Sequence, residues 1–132
     1  AIAIGIIPPI LNFKVINSIV TGYHDDEVVW TSPKNDEVCN FSFDHCVLRT
    51  EKMNTEDSLK FTNTIYENLK DTTQFGEKHF RLFDTDNLKY DFRLRKESAA
   101  IGVADAATSF PTDRRGVLRD DKPDAGCYEF EE

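Results

Sequence analysis

Asn40-Phe-Ser-Phe-Asp-His-Cys-Val-Leu48 decides the fold of this chain, because two other stretches align with it without gaps. The stretch alternates apolar and polar residues, bends, and ends in an apolar pair, which is typical of a strand that turns a corner. The aligned copies are Asn12-Phe-Lys-Val-Ile-Asn-Ser-Ile-Val20 and Ser58-Leu-Lys-Phe-Thr-Asn-Thr-Ile-Tyr66. The chain therefore contains an internal repeat with an uneven period, and such repeats indicate stacked units.

Each copy bends at a residue pair that begins with Asn or His: Asn17-Ser18, His45-Cys46 and Asn63-Thr64. Asparagine accepts a left-handed backbone better than most residues, so a strand can turn there without glycine. Short strands that meet at such a corner and stack in register predict an all-β fold, a right-handed parallel β-helix. The alignment places Val15, Phe43 and Phe61 at one shared position.

Strand patterns also occur outside the repeat. Residues 28–30 form a short apolar run, and residues 79–83 and 90–94 alternate around a turn at 84–87. We expect polar excursions at 24–27, 33–37 and 51–57, and one short helical turn within 67–79. In the hairpin, alternation predicts Phe80, Leu82, Phe92 and Leu94 facing inward and Arg81, Arg93 and Arg95 facing outward.

The 132 residues are predicted to form one domain, with β-helix coils at 1–97 and a C-terminal cap at 98–132. The apolar start of the chain is too short for a membrane span, which needs about twenty residues. Its alternation predicts an edge strand. An apolar start with nothing to cover it leads us to expect further coils before it.

Composition limits the partners of the chain. The net charge is -8, with 24 acidic and 16 basic residues, which disfavours a nucleic-acid partner. Cys39, Cys46 and Cys127 include no C-x-x-C pair, so a zinc site and a disulfide framework are disfavoured. We expect buried free thiols, and a Cys39–Cys46 disulfide stays open as the alternative.

Three motifs follow one another in the C-terminal tail: Ser98-Ala-Ala-Ile-Gly102, Asp113-Arg-Arg-Gly116 with Arg119, and Pro123-Asp-Ala-Gly-Cys-Tyr-Glu-Phe130. Together they resemble the C-terminal signature of right-handed parallel β-helix proteins that Gram-negative bacteria secrete or display, S-P-A-I-D-x-G, D-x-x-G-x-x-R and P-D-I-G-A-Y-E. The chain departs from that signature at Ala99, Gly102 and Ala104. The resemblance implies the last coils of a longer surface lipoprotein, polysaccharide lyase or glycoside hydrolase.

A lyase on this scaffold needs a basic residue near acidic side chains that hold calcium and neutralise a uronate. The hairpin offers such residue types, but we interpret them as a solvated sheet face with turn aspartates. They are Arg81, Arg93, Arg95, Asp84, Asp86 and Asp91.

Other candidates have structural interpretations as well. The segment 24–27 is expected to be a solvated turn, and His45 a corner residue. Ser18 and Ser42 have no G-x-S-x-G setting. Aromatic residues could stack on a sugar ring if they share an exposed face, although core packing is equally expected for the tryptophan. These aromatic residues are Trp30, Tyr23 and Tyr66.

The leading hypothesis is a non-enzymatic protein of the cell exterior or outer-membrane surface that presents a rigid surface to a glycan or a partner protein. The alternatives are a fragment of a β-helix polysaccharide lyase or glycoside hydrolase, and an accessory lipoprotein subunit of an outer-membrane nutrient-uptake complex. The sequence assigns no catalytic or ligand-binding residue and no metal site. No cofactor is expected, with calcium left open, and any membrane contact would come through a lipid anchor outside this chain.

Overall fold

The computed structural model describes residues 2–4, 9–30, 38–52, 59–71 and 73–132. The predicted excursion at 33–37 lies outside the described residues, as do most of the excursion at 51–57 and part of the apolar start. The described elements are mostly strands, so the fold is all-β. In chain order the strands are β1 (Ile2–Ile4), β2 (Ile10–Ile16), β3 (Ile19–Val20), β4 (Val28–Trp30), β5 (Cys39–Asp44), β6 (Val47–Leu48), β7 (Phe61–Thr62), β8 (Ile65–Tyr66), β9 (Phe80–Asp84) and β10 (Lys89–Leu94).

The repeat forms two three-stranded parallel sheets, with strand orders β2-β5-β7 and β3-β6-β8. In the first sheet Val15 pairs with Phe43, which pairs with Phe61. In the second sheet Ile19 pairs with Val47. Val47 in turn pairs with Ile65. The predicted alignment of the three copies and their parallel pairing are both confirmed.

The corners between the two sheets have the left-handed backbone that the sequence predicts. The φ angles are 51° at Asn17, 51° at His45 and 48° at Asn63. Side chains connect adjacent corners, because Asp44 Oδ1 accepts hydrogen bonds from Thr62 Oγ1 at 2.7 Å and from Asn63 Nδ2 at 2.9 Å. The corner prediction is therefore confirmed for all three copies.

Aromatic rings fill the core beside the first sheet. Phe43 is fully buried, and Phe41 and Phe61 are at most 8% exposed. The Trp30 ring packs on this cluster, with centroids 5.8 Å from Phe41 and 5.4 Å from Phe61. Trp30 comes from β4, which pairs in parallel with β1. The predicted strand at 28–30 is confirmed, and the tryptophan serves core packing.

The predicted hairpin is confirmed as the antiparallel pair β9–β10, but two of its four inward residues were predicted wrongly. Leu94 is buried, whereas Leu82 and Phe92 are each 44% exposed. Leu82 lies opposite Asp91, and the register shifts between Asp91 and Leu94. This irregularity interrupts the alternation of inward and outward side chains. A prediction that assumes strict alternation along both strands therefore places some side chains on the wrong face of the hairpin. The predicted helical turn in 67–79 is confirmed as a 3₁₀ helix, Gly76–His79.

The C-terminal segment 98–132 packs across the second parallel sheet. Ala100, Ala125 and Val47 are fully buried in one cluster there. The Gly126 N–H donates to the Asn17 carbonyl oxygen at 2.8 Å, and the Asp105 N–H donates to Asn17 Oδ1 at 2.9 Å. The segment is thereby attached to the first corner of the repeat.

Acidic side chains hold the turns of this segment. Asp113 Oδ2 accepts a hydrogen bond from the Glu129 N–H at 3.1 Å, and Asp124 Oδ2 accepts one from the Phe130 N–H at 2.6 Å. Arg119 Nη1 donates to Glu129 Oε2 at 2.8 Å. The polar residues of the tail motifs therefore serve the local turns.

The resemblance to bacterial β-helix surface proteins is wrong for this chain. The described strands form separate sheets of two or three strands, one of them antiparallel, and not a long run of regular coils. The physical reason lies in the tail motifs. Aspartates that accept backbone N–H groups, together with glycines at positive φ such as Gly116 and Gly126, suit tight turns in many folds. Such motifs indicate turn geometry and do not identify a family.

The three cysteines are free thiols. Cys39 and Cys46 are buried, as predicted, but Cys127 is exposed. Burial raises the pKa of the Cys46 thiol above its ordinary value, although backbone hydrogen bonds of Ser18 and Asp44 partly oppose that effect. Cys46 is thus a core residue. No helix among the described residues has the length and apolar content needed to cross a bilayer.

Candidate binding cleft

A cleft of about 800 Å³ opens between the second parallel sheet, the segment 67–79, the β9–β10 hairpin and the C-terminal segment. Aromatic and polar side chains share its lining. The aromatic residues are Tyr23, Phe75, Phe80, Phe83, Phe92 and Tyr128, and the polar ones include Asn17, Ser18, Thr21, Arg49, Asp71, Glu77 and Lys78.

The hairpin supplies one aromatic wall. Phe83 lies at the centre of this wall, with ring centroids 5.2 Å from Tyr90, 6.1 Å from Phe92 and 6.2 Å from Phe80. Tyr23, which lies outside the hairpin, adds its ring to this wall: the ring centroids of Tyr23 and Phe83 are 6.5 Å apart, and Tyr23 is 75% exposed. Because these rings support one another, their exposed faces are held in place without a ligand.

A buried polar network forms the floor. Arg49 Nε donates to Glu67 Oε2 at 2.7 Å, and His79 Nε2 lies 3.0 Å from Glu67 Oε1. On its other side, His79 Nδ1 lies 2.8 Å from Ser98 Oγ, which also accepts the Ala100 N–H. A neutral histidine protonated on Nε2 satisfies both of its contacts. The network joins strand ends of the repeat to the C-terminal segment.

Gly76 is required where the segment 67–79 crosses this floor. Its φ is +64°, and a Cβ added there would lie 2.5 Å from Arg49 Nη2. Its N–H donates to Glu67 Oε1 at 3.4 Å. Glycine alone combines the positive φ with this close approach to the guanidinium.

Two carboxyl groups at the cleft have shifted pKa values. Burial raises the pKa of Glu67, but the hydrogen bonds from His79 and Arg49 outweigh it, so the pKa is lowered overall from 4.5. The Thr73 hydroxyl and N–H lower the pKa of Asp71. Both groups are therefore carboxylates at neutral pH.

The charged residues of the hairpin interact with near neighbours. The guanidinium of Arg93 binds Asp91, and its hydrogen bonds lower the Asp91 pKa to about 2. Asp84 Oδ1 accepts the Asn87 N–H at 3.0 Å within the turn, and Arg81 donates to the Glu131 carbonyl oxygen. These contacts fit the interpretation of a solvated face and turn caps. They do not gather Arg81, Arg93, Arg95, Asp84, Asp86 and Asp91 around one point.

The acidic segment 24–27 contributes to local structure. Glu27 is 2% exposed and its Oε1 accepts the His24 N–H at 2.8 Å. The prediction of a solvated turn is therefore wrong for Glu27. Asp26 Oδ1 accepts the Thr50 hydroxyl at 2.6 Å. No group of three or more His, Cys, Asp or Glu side chains in the described part of the chain is arranged to hold a metal ion.

Of the aromatic residues considered for sugar stacking, Tyr23 alone lines the cleft, because Trp30 and Tyr66 pack on the core cluster. Ser18 also lines it, and its hydroxyl donates to the Ile16 carbonyl oxygen at 2.7 Å. His45 holds its corner, with Nδ1 3.1 Å from Asp44.

Sequence reasoning missed most of the cleft. Arg49, Glu67 and His79 come from three separate parts of the chain: the sequence patterns place Glu67 in the segment 67–79 and His79 at the start of the strand 79–83, and they assign no role to Arg49. Tyr128 and Cys127 belong to the tail, whose motifs are interpreted above as a family signature and a terminal cap. The high aromatic content of the hairpin is a signal that could have indicated the cleft. It was missed because Phe92 was predicted to face the core.

No protein-family description matches the chain, and neither a curated protein nor a solved structure matches it. The cleft is therefore interpreted from its own geometry and chemistry.

Proposed function

We propose that this chain is a non-enzymatic domain that binds a glycan in the aromatic cleft. The observation that carries the proposal is the mixed lining: Tyr23, Phe83 and Phe92 present rings to a concave space that hydroxyl, amide and charged groups border. Aromatic faces pack against the C–H groups of a sugar ring, and the polar groups can bind its hydroxyls.

The size of the cleft favours a small ligand. Pockets for small molecules measure about 300–1,000 Å³, and this cleft falls within that range. A stable interface with a folded protein instead buries about 800 Å² on each partner over a broader surface. A short oligosaccharide, lying with one or two sugar rings on the hairpin wall, fits both the volume and the lining.

Asp71 and Glu67, two carboxyl groups at the cleft, do not suit the general acid of a glycosidase. A glycosidase needs one carboxyl group whose pKa is raised, so that it can act as general acid. The Asp71 pKa is lowered by Thr73, and the side chain of Glu67 is fully buried beneath Arg49 and His79. An enzyme fragment stays a prediction, as does an accessory subunit of an uptake complex.

We further propose that the two parallel sheets are successive faces of a right-handed parallel β-solenoid. The shared register of Val15, Phe43 and Phe61 and the repeated left-handed corners support this arrangement. The right-handed sense follows from the general preference of parallel crossover connections. Such a stack would hold the cleft walls rigidly. Location at the cell exterior stays a prediction, which fractionation of the native cells can test.

A glycan array tests the function. Wild-type protein is expected to bind a subset of oligosaccharides, and Tyr23→Ala and Phe92→Ala are each expected to weaken that binding about tenfold, as the loss of an aromatic contact implies. Phe110→Ala is the matched control, because Phe110 is 81% exposed and lies outside the cleft lining. No bound glycan, or equal losses in all three variants, would contradict the proposal.

A further inference from the structure

We infer that the ligand carries an acidic group on a sugar, a carboxylate or a sulfate, and that the outer edge of the Arg49 guanidinium binds it. This inference rests on the proposed glycan-binding function and specifies the class of glycan. Two features of Arg49 support it, its unused donors and its fixed orientation, and the charges around Arg49 limit the ligand further.

The donors of Arg49 are only partly used. A guanidinium has five N–H groups in one plane. Nε donates to Glu67 Oε2 at 2.7 Å, and among the described residues no acceptor binds Nη1 or Nη2. The Arg49 side chain is nevertheless only 17% exposed and lines the cleft. Unused donors that reach the solvent of the cleft are free to bind an acceptor from a ligand.

The orientation of the guanidinium is fixed before any ligand binds. Glu67 holds Nε, and Glu67 is itself held by His79 and by the Gly76 N–H. Gly76 also lies against Nη2, since a Cβ there would approach to 2.5 Å. A preoriented planar fork matches the two oxygens of a carboxylate or sulfate and loses little entropy on binding.

The surrounding charges limit the ligand to few acidic groups. The lining holds the cations Arg49 and Lys78 and the carboxylates Asp71 and Glu77. The buried Glu67 carboxylate, bonded to Arg49, adds a third negative charge. The whole chain carries a net charge of -8, which repels a polyanion. At 0.1 M salt, charges more than about 10 Å apart are largely screened from each other. A single acidic group beside Arg49 is therefore screened from most of the negative charges of the chain.

Matched disaccharides test the inference with wild-type protein alone. Glucose-, galactose- and mannose-based disaccharides are each prepared in four forms: neutral, uronic acid, methyl ester of that acid, and 6-sulfate. For a disaccharide that binds, we expect the uronate or the sulfate to bind about tenfold more tightly than the neutral form and the ester, from a charge-assisted bidentate contact. Preference for the uronate identifies a carboxylate ligand, and preference for the sulfate identifies a sulfated one.

Variants locate the acidic contact. Arg49→Gln is expected to remove the preference, so that the acid, the ester and the neutral form of a disaccharide bind this variant with equal affinity. Lys122→Gln is the control and is expected to keep the preference, because Lys122 is exposed and lies outside the cleft lining. Should Arg49→Gln fail to fold, the comparison of acid and ester in wild type still decides the inference.

The outcomes separate the two proposals. If no form of any disaccharide binds, and none of the glycans on the array binds, the glycan-binding function itself is wrong. If neutral, ester and acidic forms bind equally, or if Arg49→Gln retains the acid preference, the function stands and the acidic ligand is excluded.

Discussion

Phe43 and Phe61 stack face to face, with ring centroids 5.3 Å apart and ring planes within 5° of parallel. They are paired residues of the parallel strands β5 and β7. Adjacent strands lie about 4.8 Å apart, so side chains at the same position of successive copies come into contact. The repeat in the sequence is thus visible as a stack of like side chains.

The first prediction concerns this stack. Phe61→Ala is expected to lower the free energy of unfolding by about 3–5 kcal/mol, because Phe61 is 8% exposed and its removal leaves a cavity against Phe43 and Trp30. Urea denaturation followed by circular dichroism measures the change. Phe110→Ala, at an exposed site, should change it by no more than about 0.5 kcal/mol. Equal effects would show that the stack contributes little.

The second prediction tests the corners. His45→Asn is expected to leave stability unchanged or to raise it slightly, because asparagine occupies the other two corners and tolerates φ near 51°. His45→Val is expected to cost about 1–2 kcal/mol or more, since a β-branched residue is strained in the left-handed region. Thermal unfolding of the two variants compares them. Equal melting temperatures would argue against a left-handed corner at His45.

A pair of glycine substitutions provides the third prediction. Gly76 and Gly116 both have positive φ, but a Cβ at Gly76 meets Arg49 whereas one at Gly116 meets nothing within 4 Å. Gly116→Ala should therefore cost about 1–2 kcal/mol from backbone strain alone. Gly76→Ala should cost clearly more and should also displace Arg49. If the two variants lose the same stability in urea, the close contact at Gly76 is not as described.

The fourth prediction is a pH dependence that arises from Glu67. Its pKa is lowered by folding from 4.5, so its contribution to stability is fully present above that value and is lost as the pH falls through the lower folded pKa. The charged or titratable groups that face it are Arg49 and His79. Below about pH 4.5, the stability of wild type should fall more steeply than that of Glu67→Gln.

The difference between these two curves isolates Glu67. Asp113 also has a lowered pKa, because its hydrogen bonds from backbone N–H groups and Arg115 outweigh the effect of burial. Asp113 is present in both wild type and Glu67→Gln, so its contribution cancels in the difference between their stabilities. Urea midpoints measured from pH 7 down to pH 3 supply the curves. Parallel curves would mean that the Glu67 pKa is the same in the folded and unfolded states.

The fifth prediction uses the thiols. Cys127 is exposed and lines the cleft, whereas Cys39 and Cys46 are buried. A thiol reagent is therefore expected to label one cysteine rapidly in the native protein and all three after denaturation. A bulky maleimide on Cys127 should block glycan binding, and Cys127→Ser should protect against this block. Retained binding after full labelling would place the ligand elsewhere.

The repeat made the parallel sheets predictable because side-chain alternation and corner residues are local signals. Asn17, His45 and Asn63 are residue types that tolerate the left-handed backbone, so the corners can be predicted from them. The register of Val15, Phe43 and Phe61 follows from aligning the three copies. The family resemblance failed because Asp113 and Asp124 accept backbone N–H groups in tight turns, and turns of this kind occur in many folds.

The cleft was beyond local reasoning. Arg49, Glu67 and His79 meet only because the second sheet, the segment 67–79 and the C-terminal segment pack together. Each of these residues is an ordinary polar residue in its own stretch of sequence. Phe92 lines the cleft beside Tyr90, whereas Leu94 is buried beyond a register shift between Asp91 and Leu94. No residue pattern in the sequence predicts that shift. Tertiary contacts of this kind leave no periodic signal.

The central claim is that the aromatic cleft is the ligand-binding site. Two-dimensional NMR of the labelled chain, titrated with the tightest-binding oligosaccharide of the array, tests it most directly. The account predicts that saturable chemical-shift changes concentrate at Tyr23, Arg49, Phe92 and Tyr128. Changes confined to the exposed residues of β2, Leu11 and Phe13, with the cleft unaffected, would contradict it.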